Sequence, residues 1–182
     1  MKGLLILADG FEDTEAIMTL DILQRAGFEV KTAAICKDLH VTSSHALHVL
    51  ADMFLDDVKV RQFQFLVIPG GRAVEAILRH QQAIERLTLG FHQEQKLIGA
   101  ICAAPSLLIQ YGLLKNIEHT CFPGFEDLEK APLHRNQGVV ITPHIITGKA
   151  MGYTQDFALA MVEALGGKPL RDKVYQSMRG EK

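Results

Sequence analysis

The sequence predicts an α/β fold, a flavodoxin-like three-layer sandwich with a mostly parallel, doubly wound sheet. Short continuous apolar runs are typical of strands that are buried on both faces of a parallel sheet. These runs alternate with amphipathic stretches at helical spacing, as in successive βαβ units. The length of 182 residues, with 48% hydrophobic and 22% charged residues, fits one globular domain, which we expect to span residues 1–182.

The predicted elements follow one another from the first residues onward. Leu4–Ala8 predicts the first strand, and the acidic residues after Asp9-Gly10 suit the N-terminus of a helix that ends at Gly27. The further predicted strands are 28–35, 47–50, 65–68, 97–102, 139–142 and 144–147. The further predicted helices are 73–93, with a break near residue 80, then 104–111 and 157–165, followed by a solvated helical tail from residue 171.

Charge and hydropathy exclude several classes of protein. Lys and Arg (19) nearly balance Asp and Glu (21), and the net charge of -2 gives no general attraction to nucleic acid. Asp9 interrupts the opening apolar run too early for a signal peptide. No apolar run approaches the ~20 residues that span a membrane. We therefore expect a cytoplasmic protein that binds neither nucleic acid nor membrane.

Cys102 is the strongest single indication of function. The chain has three cysteines, an odd number that argues against a disulfide framework and for a free thiol. Cys102 ends an apolar strand and small residues lead from it into a helix, a geometry like that of a nucleophile elbow. A helix N-terminus favours a thiolate. Core packing is the alternative for Cys102 alone, and it is the favoured interpretation for Cys36 and Cys121.

Two further features fall at the ends of neighbouring predicted strands. Glu15 follows the first strand, where its carboxyl could reach the cysteine or simply interact with a helix dipole. Gly70-Gly71 follow another strand, and glycines there permit a tight turn or bring an N–H close to an oxyanion. Ligands of doubly wound sheets bind beyond the carboxyl ends of the strands. Together these residues predict a cysteine site.

Ordered motifs along nearly the whole chain carry a family resemblance. They are Leu7-Ala8-Asp9-Gly10-Phe11-Glu12-Asp13-Thr14-Glu15, Val67-Ile68-Pro69-Gly70-Gly71, Ala100-Ile101-Cys102-Ala103-Ala104-Pro105, and Thr147-Gly148-Lys149-Ala150-Met151-Gly152 with Asp156-Phe157-Ala158-Leu159-Ala160. With them the sequence resembles the ThiJ/PfpI superfamily, in the branch of the parkinsonism-associated protein deglycase and its bacterial relatives. The resemblance implies a flavodoxin-like homodimer without a cofactor.

The resemblance also implies roles for individual residues. Cys102 would be the reactive cysteine and Glu15 the carboxyl that hydrogen-bonds its sulfur. The backbone N–H groups of Gly71 and Ala103 would bind an oxyanion or an oxidised sulfur. A Cys102 thiolate beside an ionised Glu15 would place two like charges in one site. We therefore expect the carboxyl to keep its proton and the cysteine to ionise first.

Three functions follow from this resemblance. The first is glyoxalase III or deglycase chemistry on small carbonyl substrates such as methylglyoxal, in which Cys102 adds to the aldehyde and Glu15 moves a proton. The second is a non-catalytic oxidative-stress sensor or chaperone that acts through oxidation of Cys102. The third is a cysteine peptidase or amidohydrolase, which is disfavoured because Ala103 stands where that branch has a histidine.

The sequence also departs from the family pattern near the cysteine. Phe122 precedes Pro123 where relatives often have a histidine, which puts efficient turnover in doubt. His45 is a candidate substitute, and Lys149 is a second basic residue that could meet an anion. With Gly70 and Cys121, these residues are the candidate pocket residues. No CxxC or HExxH pattern is present, so we expect no metal.

Overall fold

A seven-stranded, mostly parallel sheet forms the centre of the protein. This computed structural model describes residues 1–35 and 38–181. The strands of this part of the chain are β1 (Lys2–Leu7), β2 (Glu29–Ala34), β3 (His40–Thr42), β4 (His48–Leu50), β5 (Met53–Phe54), β6 (Phe65–Ile68), β7 (Leu97–Ile101), β8 (Val139–Ile141) and β9 (Ile145–Gly148). The order across the large sheet is β5-β2-β1-β6-β7-β9-β8, while β3 and β4 form a separate antiparallel hairpin. Within the described part of the large sheet, β8 alone pairs antiparallel with its neighbour.

Helices cover both faces of this sheet. They are α1 (Asp13–Arg25), α2 (Ala73–Ala76), α3 (Gln82–Gln93), α4 (Pro105–Gln110), α5 (Thr154–Gly166) and α6 (Lys168–Met178). Side chains of α1, α5 and α6 share one hydrophobic cluster, and those of α2, α3 and α4 share the other. The three-layer α/β sandwich predicted from the sequence is therefore confirmed.

Strand β1 explains why the apolar runs are continuous. Leu4 and Ile6 point into the cluster beneath α2, α3 and α4, while Leu5 and Leu7 point into the cluster beneath α1 and α5. All four side chains are at most 3% exposed. Alternate residues of one strand therefore enter two different cores, and neither face can be polar.

The order of the strands places a crevice beside β1. From β1 the chain passes through α1 to β2 on one side, and the sheet continues through β6 and β7 on the other. The direction of winding reverses between β1 and β6, which is where doubly wound sheets bind ligands. The residues that follow β1, β6 and β7 therefore meet at the same edge of the sheet.

Several details differ from the sequence prediction. The helix predicted over residues 73–93 is two helices, α2 and α3, separated by a 3-10 turn at Leu78–His80, so the predicted break is confirmed. Strands β3 and β5 have no predicted counterpart, because runs of two or three residues are too short to show an apolar pattern. The predicted tail helix is α6.

The prediction for Cys36 concerns a position outside the described residues. No helix in the described ranges has the length and apolarity needed to cross a membrane.

Candidate active site

Cys102 sits in a strained turn between β7 and α4. Its φ of +65° is in the left-handed region, which residues with a side chain rarely adopt. Two backbone hydrogen bonds of Cys102 hold this turn in place. The Cys102 N–H donates to the Gly148 carbonyl at 2.9 Å, and the Cys102 carbonyl accepts from the Phe122 N–H at 2.8 Å. The elbow-like geometry predicted for this cysteine is therefore present, and its side chain is half-buried.

Glu15 reaches the same place from the first turn of α1. Its backbone N–H donates to the Glu12 carboxylate, which caps the helix at 2.7 Å. Its own side chain is fully buried, and Oε2 accepts from the Gly70 N–H at 2.8 Å. Oε1 has no hydrogen-bond partner among the described residues. The Cys102 side chain interacts with this carboxyl and lowers its pKa, against the larger effect of burial.

The two glycines after β6 cannot carry side chains. A Cβ on Gly70 would lie 2.7 Å from both the Cβ of Cys102 and Oε2 of Glu15. Gly71 has a φ of +95°, and a Cβ there would lie 2.4 Å from the backbone N of Glu12. The sequence suggested a tight turn or a close N–H approach, and the structure has both. These glycines allow the turns after β1, β6 and β7 to touch.

Burial controls the protonation of the Glu15–Cys102 pair. Burial raises the pKa of Glu15 to about 7, so the protonated carboxyl persists toward neutral pH. Burial, together with the charge of Glu15, raises the pKa of Cys102 to about 12. The N–H groups of Ala103 and Gly71 hydrogen-bond the sulfur and lower this pKa. The expectation that one proton is retained is therefore supported. With these pKa values Glu15, and not Cys102, loses its proton first, which is the reverse of the expected order. A Cys102 thiolate therefore requires that Glu15 keep its proton.

An open depression of about 480 Å³ exposes the sulfur to solvent. We call it the Cys102 pocket, and its lining residues are Gly71, Arg72, Glu75, Ala76, Cys102, Ala103, Phe122 and Phe125. Four of these residues, Gly71, Cys102, Ala103 and Phe122, are predicted from the sequence. Arg72 is not, although it directly follows the Pro-Gly-Gly turn and its place after a strand is a usable signal. Phe125 is not predicted either, because its position depends on a long loop.

Three candidate pocket residues lie elsewhere in this chain. His45 is an exposed residue whose Nδ1 lies 2.8 Å from a carboxylate oxygen of Asp13. Lys149 donates from Nζ to Oδ1 of Asn136 at 2.6 Å. Cys121 is buried at 1% exposure. None of the three is among the described residues that line the Cys102 pocket, because local partners or the core hold each of them. Gly70 lies behind the pocket, against Glu15.

Two groups of side chains have the chemistry of metal ligands. One consists of Glu12, Asp13 and His45, and the other of Cys121, Glu126 and His134. In the first group Asp13 is already engaged, because it accepts from the Ser43 hydroxyl and pairs with His45. Hydrogen bonds within the protein therefore account for the first group.

Known proteins resemble this chain over most of its length. A model of the DJ-1/PfpI family matches residues 1–164. The chain is 30% identical over 181 residues to Protein dj-1beta of Drosophila melanogaster, covering 98% of this chain and 95% of the relative. It is 35% identical over 127 residues to Deglycase PfpI of Pyrococcus furiosus, covering 70% of this chain and 75% of that protein.

Two plant relatives are longer than this chain. Protein DJ-1 homolog B of Arabidopsis thaliana is 31% identical over 163 residues, which are 89% of this chain and 37% of the relative. For homolog A of the same plant the aligned segment is 44% of the relative. The chain thus spans about two fifths of the length of these plant relatives.

Solved structures agree with this likeness. The crystal structure of Drosophila melanogaster DJ-1beta has a TM-score of 0.89 and 29% identity, and the match covers 97% of this chain and 96% of that one. A structure described as Toxoplasma gondii DJ-1, oxidized, has a TM-score of 0.89 and 28% identity, with coverage of 99% and 98%.

Proposed function

The chain belongs to the DJ-1/PfpI family, and on this basis we propose that it is a cofactor-free, cysteine-dependent enzyme that converts reactive α-oxoaldehydes such as methylglyoxal. A glyoxalase III or deglycase activity of this kind gives a stress-protective role. Relatives named deglycases, at 34 to 36% identity over about two thirds of the chain, support this class of function. The observation that carries the proposal is the buried Glu15 carboxyl, with its raised pKa, against the thiol of Cys102.

The proposed reaction begins at Cys102. With Glu15 protonated, a Cys102 thiolate adds to the aldehyde carbon, and the oxygen of that carbon takes the proton of Glu15. This step forms a hemithioacetal and leaves Glu15 as a carboxylate. The N–H groups of Gly71 and Ala103 hydrogen-bond the sulfur. They are thus close enough to stabilise the oxyanion that forms on the neighbouring carbon.

Glu15 then completes an internal oxidation and reduction. As a carboxylate it removes the proton from the former aldehyde carbon, and it returns that proton to the adjacent carbon. The aldehyde carbon becomes a thioester as the ketone becomes an alcohol, so no external electron acceptor is required. Water cleaves the thioester to lactate and releases the thiol. A carboxyl with a pKa of about 7 suits both directions of this proton transfer.

A lactate assay with metal-stripped protein tests this proposal. We expect methylglyoxal to give lactate, and we expect Cys102→Ser to remove the activity because no thiol is left to add. Glu15→Gln cannot shuttle a proton, so it should lower the rate by about 10²-fold or more. Cys121→Ser, which leaves the Cys102 pocket intact, is the matched control. Lactate no higher than in Cys102→Ser would refute the enzyme.

A redox sensor is the second candidate function, and the backbone beside the sulfur favours it. The N–H groups of Ala103 and Gly71 lower the pKa of the Cys102 thiol, and donors in this place suit the oxygens of a sulfinate. Graded peroxide followed by mass spectrometry tests it. We expect Cys102 to oxidise first, since Cys121 is buried at 1% exposure. Equal oxidation of all cysteines would exclude a tuned sensor.

A peptidase has less support. Ala103 follows the cysteine, and no histidine is among the described residues that line the Cys102 pocket. Phe122, where the resemblance implies a histidine, lines this pocket and is 42% exposed. A general base for peptide cleavage would have to come from outside this pocket.

A further inference from the structure

A second cluster of reactive side chains comes from residues that are close in sequence to two residues of the Cys102 pocket. A ligand atom of Cys121, one of Glu126 and one of His134 all lie within 4.8 Å of one another. The backbone brings these segments together: the His119 N–H donates to the Leu133 carbonyl at 3.3 Å, and the Arg135 N–H donates to the His119 carbonyl at 2.7 Å. A thiol, a carboxylate and an imidazole thus meet across two adjacent segments.

The thiol of this cluster is shielded from solvent, and its carboxylate is held by the backbone. Cys121 is 1% exposed. Glu126 accepts from the Gly124 N–H at 2.6 Å. A bound cation would interact favourably with both a Cys121 thiolate and this carboxylate.

His119 provides an independent observation at the same place. Its side chain is fully buried, and its Nδ1 lies 3.0 Å from the Ile117 carbonyl, so Nδ1 carries the hydrogen and Nε2 the lone pair. Nε2 has no hydrogen-bond partner in the described chain. The ring packs edge-on against His134 at 5.6 Å, and Nε2 of His134 is also buried without a partner. Unpartnered buried nitrogens are rare because each costs about 1–3 kcal/mol.

We propose that Cys121, Glu126 and His134 bind one divalent metal ion of the zinc class, beside the buried ring of His119, which packs against His134. Sulfur, imidazole nitrogen and carboxylate oxygen are the donors that zinc takes in tetrahedral sites. On such an ion they would stand roughly 3.3 to 3.6 Å apart, so the side chains draw in by about 1 Å on binding. Binding releases the proton of Cys121.

This site is separate from the chemistry proposed for Cys102, but the two share a loop. Phe122 and Phe125 line the Cys102 pocket, and they lie between two of the ligands. A bound metal would tie the wall of the pocket to the segment that carries His134. The spacing of the ligands matches no CxxC or HExxH pattern, so the sequence alone predicted no metal.

Cobalt substitution tests the proposal with the reduced full-length chain. We expect Co²⁺ to give a near-ultraviolet thiolate-to-cobalt band together with the visible bands of a tetrahedral site, and Zn²⁺ to displace it. Cys121→Ser should abolish the charge-transfer band. Glu126→Gln, at a less buried position, should keep the band and weaken metal affinity about tenfold or more.

Two controls distinguish this site from the other candidates. Cys102→Ser should keep the band, since its thiol belongs to the other pocket, and His45→Gln should keep both the band and the affinity. A band that disappears in Cys102→Ser and persists in Cys121→Ser would overturn the proposal. The absence of any charge-transfer band in the wild-type protein would overturn it as well.

Discussion

At the scale of single residues, the buried carboxyl of Glu15 should leave a signature in the pH dependence of stability. Its pKa rises from 4.5 to about 7 in the folded protein. Because this pKa is raised, the contribution of Glu15 to the free energy of unfolding is fully present below pH 4.5 and is lost as the pH rises through about 7. The gap corresponds to at most about 3 kcal/mol.

Urea unfolding of wild type and Glu15→Gln between pH 4.5 and 7 measures this effect. We expect the free energy of unfolding of the wild type to fall relative to that of Glu15→Gln over this range. The comparison cancels other groups, including His119, whose pKa burial lowers. Glu129→Gln, at an exposed position, is the matched control and should follow the wild type. Parallel curves for wild type and Glu15→Gln would mean that Glu15 ionises normally.

At the scale of elements, the contact between α5 and β7 depends on one missing side chain. A Cβ on Gly99 would lie 2.4 Å from Sδ of Met161 and 2.9 Å from Cζ of Phe157. Helix α5 can therefore lie close to the strand that ends at Cys102. We expect Gly99→Ala to destabilise the fold by roughly 1–3 kcal/mol through overpacking.

A double-mutant cycle with Met161→Ala checks the cause. Shortening Met161 removes the clash, so the double variant should be more stable than the sum of the two single effects by about 1 kcal/mol. Urea unfolding of the four proteins gives this coupling. Additivity within about 0.5 kcal/mol would show that Gly99 acts through something other than this contact.

At the scale of the whole molecule, we expect a homodimer. Large apolar side chains are exposed on α1 and on the β3–β4 hairpin, including Met18 at 37% and Leu50 at 65%. The two elements adjoin, because the Ser43 hydroxyl donates to Asp13. Exposed apolar patches of this kind are typical of interfaces.

Light scattering after size-exclusion chromatography tests the dimer. The wild type should have twice the 20.1 kDa mass of the chain. Met18→Glu combined with Leu50→Glu should give a monomer, because charge at an apolar interface is costly. Leu128→Glu, at a residue 61% exposed in another loop, should leave the mass unchanged. A monomeric wild type would contradict the expectation.

The sequence alone determined the layers and the principal site residues. Continuous apolar runs such as Leu4–Ala8 are typical of strands buried on both faces, and their alternation with amphipathic stretches predicts a parallel sheet between two helical layers. Cys102, Gly71 and Glu15 could be proposed because they lie in the turns after β7 and β6 and in the helix turn that follows β1. Parallel strands bring their carboxyl ends to one edge.

Only the tertiary structure decided what long loops bring together. Three features depend on contacts between distant segments: the wall of the Cys102 pocket at Phe125, the hydrogen bond between His45 and Asp13, and the meeting of Cys121 with His134. The spacing of apolar residues in the sequence does not predict such contacts, because an irregular loop has no regularly repeating face. The protonation of Glu15 was likewise decided by the structure, since burial sets its pKa and burial depends on the elements packed around it.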